Sequence, residues 1–139
     1  MRIENVTDNI VVMLAPKELE IEENSAPTTA IVTCIALPDE LVFVDTGVFV
    51  DVVKEFRAKM EKKFNRKTTR LFLTHDDWDH IFAMEAFKDV TIVATKAAIE
   101  DLDYNLRVHA GRAYVTSVSI DKYGKSMEVP QLLLETEII

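Results

Sequence analysis

Apolar positions along this chain follow two rhythms, and their alternation predicts the architecture. Short apolar, β-branched runs at Ile10–Leu14, Thr28–Leu37, Leu41–Val44, Arg70–Leu73 and Val90–Ala94 are bounded by turn residues, the pattern of strands. Pro38-Asp39-Glu40 separates two of these runs and predicts a hairpin by turn chemistry. Phe49, Val52, Val53, Phe56, Met60 and Phe64 instead recur at helical spacing, which predicts a helix over Phe49–Lys63 ended by Asn65-Arg66-Lys67. Its other face carries Lys54, Arg57, Lys59, Lys62 and Lys63, a solvated helix face in preference to a phosphate-binding patch. Ile81, Met84 and Phe87 suit the inner side of a short helix opened by Asp79-His80 and running through Phe87. Thr95 suits the N-cap of another helix through Leu106, with Ile99, Leu102 and Leu106 inward. Beyond it, Ala113–Ile120 and Leu132–Ile139 are expected as strands, joined through a turn at Tyr123-Gly124-Lys125-Ser126. The acidic, polar stretch from Pro16 to Pro27 is expected as a loop or frayed hairpin arm. Strands alternating with helices place the chain among α/β or α+β folds.

Composition narrows this further. At 139 residues and 48% apolar, the chain is expected to form one domain over 1–139 with a real core. A net charge of −8 argues against nucleic acid and anionic membrane surfaces as partners. No apolar run approaches the roughly 18 residues of a membrane-spanning helix, and Met1-Arg2-Ile3-Glu4-Asn5 holds no signal-peptide core. The lone Cys34 cannot form an internal disulfide, and a buried thiol in a reducing cytoplasm is the expectation.

The chemistry concentrates in Leu71-Phe72-Leu73-Thr74-His75-Asp76-Asp77-Trp78-Asp79-His80-Ile81, which runs from a strand through a turn at Thr74 into a helix start. Ionisable groups just past the C-terminal end of a strand occupy the place where α/β folds hold their ligands. His75, Asp77, Asp79 and His80 supply two imidazoles and two carboxylates, a normal ligand set for zinc, iron or manganese. In an extended segment His75, Asp77 and Asp79 would project to one face and His80 elsewhere, so one segment could serve two adjacent metal positions. The plainer alternative is that Asp76, Asp77 and Asp79 merely cap a helix and complement its dipole. Trp78 could wall a substrate pocket or pack under the loop. His109 stands far from the cluster in sequence, and a surface role is the expectation for it.

Thr74-His75-x-Asp77-x-Asp79-His80 after a hydrophobic strand resembles the His-x-His-x-Asp-His motif of the metallo-β-lactamase superfamily. Upstream, Leu41-Val42-Phe43-Val44-Asp45-Thr46-Gly47 resembles that family's strand ending in Asp-Thr-Gly or Asp-Ser-Gly, and Val90–Thr95 resembles the strand that follows the metal motif. The resemblance covers roughly Met1 to Leu106. It departs at two places: Asp77 stands where the second His is usual, and Phe82-Ala83 replace the usual small residues. A carboxylate at Asp77 moves preference from zinc toward iron or manganese, and diiron relatives carry Glu there.

The resemblance implies a mixed sheet with helices on one face, a metallo-β-lactamase-like αβ half-sandwich. It implies a divalent metal, zinc first and iron or manganese next, on His75, Asp77, Asp79 and His80. Asp79 would act in catalysis, orienting the attacking water and taking its proton, while Asp45 would steady the metal loop without binding metal. The implied reaction is metal-dependent hydrolysis of an ester, thioester, amide or phosphodiester in a small-molecule substrate. In that family a second half supplies further His and Asp ligands, whereas here no His follows His109. The chain is therefore expected to be an N-terminal half, incomplete as an enzyme. Two other readings follow: a non-catalytic domain that self-associates, expected as a homodimer, or a diiron redox relative.

Overall fold

The computed structural model describes residues 1–14, 30–99 and 136–138. They form a seven-stranded sheet whose strands lie side by side in chain order. The strands are β1 (Arg2–Asn5), β2 (Ile10–Leu14), β3 (Val32–Ala36), β4 (Leu41–Val44), β5 (Thr68–Phe72), β6 (Thr91–Ala94) and β7 (Thr136–Ile138). From β1 to β4 neighbours run antiparallel, and from β4 to β7 they run parallel. A parallel pair needs a crossover where an antiparallel pair needs only a turn. The helix α1 (Val50–Phe64) makes the first crossover, between β4 and β5. The second, between β5 and β6, contains the short helix α2 (Trp78–Ile81) and a 3-10 turn at Met84–Phe87.

Side-chain alternation explains why the sheet is sided. In β2 and β3 buried and half-buried residues alternate strictly, with Val11, Met13, Val32, Cys34 and Ala36 inward. The register aligns Val11 with Cys34, Cys34 with Phe43, Phe43 with Leu71 and Leu71 with Ile92, one apolar row across five strands. Phe43 meets Phe56 of α1 edge-on at 5.7 Å and Phe87 of the 3-10 turn at 5.2 Å, so these helical elements cover this face. Burial in this layer pushes the Cys34 thiol up to about 12. On α1 the buried residues are Val52, Val53, Phe56 and Met60, the helical stripe that the spacing predicts. Asn65 ends α1 in the left-handed conformation (φ 51°), which Asn tolerates well. Arg57 ties α1 to the second crossover, donating to the Ala86 carbonyl at 2.8 Å and to both carboxylate oxygens of Asp89. Those hydrogen bonds hold the Asp89 carboxyl below its ordinary range, against the opposing effect of partial burial.

The other face is apolar but only half covered. Val12, Thr33, Val44, Phe72 and Val93 align on it, and of these only Val93 is buried. The continuous apolar runs suggest burial on both faces, whereas the structure buries one face of β2 and β3 and leaves the other intermediate.

Several element bounds differ from expectation. The strand β1 has no counterpart in the apolar pattern, because three of its four residues are exposed and only Ile3 packs against the core. Strand β5 begins at Thr68, two residues early, because Leu41 N–H donates to the Lys67 carbonyl and draws this segment beside β4. The helix expected from Asp79 through Phe87 is broken after Ile81. The Ala83 N–H donates to the Gly47 carbonyl (3.0 Å) and to Thr46 Oγ1 (3.1 Å), which removes it from any helical ladder. Thr95 does cap a helical turn over 96–99, its Oγ1 accepting from Ala98 N–H at 3.2 Å. The rest of that helix, the strand at Ala113–Ile120, the turn at 123–126, the 16–27 loop and His109 lie outside the described residues. Of the expected Leu132–Ile139 strand, Thr136–Ile138 is described, paired parallel to β6.

Candidate metal centre

The turn after β4 and the loop after β5 meet at the C-terminal ends of two adjacent parallel strands. Asp45 leaves β4 with φ 57°, a left-handed conformation that Asp adopts more readily than most residues, and Gly47 follows at φ 67°. A side chain at Gly47 would be strained there by φ alone, and its Cβ would stand 3.4 Å from Val32 Cγ2. This double reversal brings the Asp45 carboxylate under the next loop. Asp45 N–H donates to the Phe72 carbonyl at 2.8 Å, which fixes the turn against β5.

Asp45 is 5% exposed, and its carboxylate has three hydrogen-bond partners. Its Oδ1 takes the Thr74 N–H at 2.9 Å, and its Oδ2 lies 2.8 Å from both Thr74 Oγ1 and His80 Nδ1. Thr46 is fully buried, and both its N–H and its hydroxyl reach the His80 carbonyl at 2.9 Å. The Asp-Thr pair thus grips the metal motif twice, once by the His80 ring and once by the His80 backbone. Such partners orient metal-binding side chains.

Above this anchor the candidate ligands are exposed to different degrees. The His75 and Asp77 side chains are 42% and 71% exposed, those of Asp79 and His80 about a quarter. His75 Nε2 lies 3.4 Å from Asp77 Oδ2, and His80 Nε2 lies 3.8 Å from Asp79 Oδ2. The two imidazole centroids are 4.0 Å apart. The expectation that His80 points away from His75 assumed an extended segment through Asp79. Instead α2 begins at Trp78, His80 N–H donates to the Asp77 carbonyl at 2.9 Å, and the chain folds His80 back beside His75. Two ligand atoms on one tetrahedral zinc stand roughly 3.3 Å apart, given bond lengths near 2.0–2.1 Å. The His75–Asp77 pair, at 3.4 Å, is close to that spacing, and the His80–Asp79 pair, at 3.8 Å, is wider. Among the described residues no set of three or more His, Cys, Asp or Glu side chains could hold a metal ion. The indole of Trp78 lies outside what the structure describes.

In the sequence Thr74 reads only as a turn residue and Thr46 only as part of the Asp-Thr-Gly that ends a strand. Both are structural keys here. The available signal was their position, a hydroxyl residue directly beside Asp45 and another directly beside His75.

Comparison with known proteins places the family and the fold. The profile of the metallo-beta-lactamase superfamily matches residues 28–137, most of the chain. The protein belongs to the metallo-beta-lactamase superfamily. No curated protein matches it. Among solved structures it is similar to the metallo-beta-lactamase FIM-1 from Pseudomonas aeruginosa in the mono-zinc form, with a TM-score of 0.59 and 13% sequence identity. That alignment covers 75% of this chain and 46% of the lactamase, so this chain spans about half the length of that structure. At that identity the likeness concerns the fold, a mixed sheet with helices. Superfamily membership carries a metal-dependent hydrolase fold whose members bind divalent metals, typically zinc.

Proposed function

We propose that His75, Asp77, Asp79 and His80 form a divalent-metal site serving hydrolysis of an ester, thioester, amide or phosphodiester. The observation that carries this reading is the pairing of each imidazole Nε2 with a carboxylate oxygen at 3.4 and 3.8 Å, above a carboxylate that already holds Nδ1 of His80. When bound, a divalent cation supplies positive charge that lowers the pKa of water and polarises the bond to be cleaved. His75 and His80 offer ring nitrogens, and Asp77 offers a hard oxygen in place of a third imidazole. Zinc remains the first expectation, with iron and manganese favoured more than an all-imidazole site would allow. Asp79, less exposed than Asp77, orients the water and accepts its proton at Oδ2.

Binding by this chain is weak and exchangeable, because its donors assemble as pairs while catalytic sites use three protein ligands. Calorimetric titration with zinc, iron(II) and manganese(II) tests this, with binding expected for at least zinc and reversal by mild chelation. A tightly held, stoichiometric dimetal centre would overturn the weak-site reading. Hydrolysis of generic ester or phosphodiester substrates by this chain should stay well below about 1 s⁻¹, the lower edge of ordinary turnover.

A second reading, self-association, is favoured by the half-covered apolar face through Val12, Val44 and Phe72. A second copy related by a two-fold axis would match this face to itself. Light scattering after size exclusion tests it, with a dimer expected and a monodisperse monomer against it.

A further inference from the structure

We propose that the open edge of β1 is a self-pairing site, where a second copy of this chain adds its own β1 antiparallel about a two-fold axis through Ile3. The contact is independent of the metal motif and lies on a different surface from the half-covered apolar face. Strand β1 stands at the end of the strand order, so among the described residues no strand lies on its outer side. Arg2, Glu4 and Asn5 are exposed along it. Two hydrogen bonds fix which backbone groups face that edge. Val6 N–H donates to the Ile10 carbonyl at 2.9 Å, and Ala36 N–H donates to the Asn9 carbonyl at 2.8 Å. Along a strand in an antiparallel ladder, residues bonded to one neighbour alternate with residues whose N–H and C=O point the other way. The β1–β2 register sets Arg2 against Leu14 and Glu4 against Val12, and it continues to Val6 against Ile10. Arg2 and Glu4 therefore bond to β2, and the N–H and C=O groups of Ile3 and Asn5 point to the open edge.

A second β1 must also match the two faces of the sheet. Ile3 aligns with Met13 on the helix-covered face, and Arg2 and Glu4 lie on the opposite one. An axis through Ile3 meets both conditions. It sets Ile3 against the partner's Ile3, and the two exchange N–H to C=O bonds. Each Asn5 N–H then reaches the carbonyl of the partner's Met1. Arg2 falls directly opposite the partner's Glu4, and Glu4 opposite the partner's Arg2. Opposite charges in that position stabilise a pairing, and like charges oppose it. An axis through Glu4 would bring two glutamates together at its centre. An axis between Ile3 and Glu4 would set inward side chains against outward ones. Charged side chains on an edge usually prevent pairing. Here the order Arg-Ile-Glu makes the edge complementary to its own reverse, which selects another copy of the same strand.

Sedimentation equilibrium on the full chain measures the association, and charge exchange tests its geometry. Arg2→Glu and Glu4→Arg each create two like-charge pairs and should weaken association about tenfold or more. The double variant Arg2→Glu/Glu4→Arg restores both pairs and should recover the unaltered affinity within about threefold. An equimolar mixture of the two single variants should form a one-to-one complex tighter than either makes alone, because both cross-strand pairs are then opposite in sign. Cysteine pairing tests the register separately. A chain with Arg2→Cys mixed with a chain with Glu4→Cys should oxidise to a disulfide between positions 2 and 4, whose Cα atoms the pairing places roughly 4.5 Å apart. Neither chain alone should cross-link, since Cys34 is buried. A monomer at submillimolar concentration overturns the proposal. So does a dimer that the single charge reversals leave intact, the outcome expected if the copies met only through the face bearing Val12, Val44 and Phe72. Absence of the mixed disulfide overturns it as well, and that result decides even if a charge-reversed chain does not fold.

Discussion

The turn that follows β4 and the loop that follows β5 share one carboxylate but are built to opposite rules. On the turn side, Asp45 and Thr46 are buried, and their polar atoms reach Phe72, Thr74, His80 and Ala83 within the protein. On the loop side, His75 and Asp77 are substantially exposed, and their outer atoms face each other at 3.4 Å. The turn spends its hydrogen-bonding capacity on holding the fold, and the loop keeps part of its capacity in reserve. Substitutions should therefore separate: turn variants should cost stability, and loop variants should cost ligand binding.

Asp45→Ala carries the largest expected stability effect. It removes the partner of the Thr74 N–H and hydroxyl and of His80 Nδ1, and it places Ala at a positive φ. A loss of about 3 kcal/mol is expected in urea unfolding. A loss below about 1 kcal/mol would mean that the turn is not the anchor. Thr46→Val keeps the shape but removes the hydroxyl shared by the His80 carbonyl and the Ala83 N–H. About 1–2 kcal/mol should be lost, since backbone bonds from the same turn remain.

Cys34, in the same sheet layer as the anchor, gives a pH test of how dry that layer is. Its thiol is raised by burial from 9.0 to about 12. Below pH 9.0 both folded and unfolded chains keep the proton, and the contribution to stability is fully present. As pH rises toward 12 the unfolded thiol ionises first and stability falls. On the order of 1 kcal/mol should be lost at about pH 10, and Cys34→Ala should lose that much less. Equal slopes for the two chains would show that water reaches the layer. His75→Ala should have the smallest stability effect, within about 0.5 kcal/mol, because the side chain is 42% exposed. A cost as large as that of Thr46→Val would erase the distinction between turn and loop.

Much of this was legible in the chain. Strands β2 to β6 and α1 follow from apolar runs and helical spacing, since burial on one face imposes period on the sequence. The strand β1 was not legible, because an edge strand with only Ile3 against the core carries no pattern. The break in the helix after Ile81 depends on hydrogen bonds from Ala83 to a turn more than thirty residues away, which no local pattern encodes. The candidate ligands could be picked out by residue type and place. That His80 folds back to within 4.0 Å of His75 could not, because it depends on where α2 begins. The roles of Thr46 and Thr74 stayed hidden because a hydroxyl in a turn is the commonest of features, and only a buried carboxylate beside it gives it direction.

The most direct test of the central claim is metal occupancy after dialysis of the unaltered chain, His75→Ala, His80→Ala and the double variant against zinc. The account predicts zinc in the unaltered chain, a clear drop in each single variant and none above background in the double variant, with all four chains folded. Equal zinc in the unaltered chain and the folded double variant would contradict it, as would no zinc in any of the four.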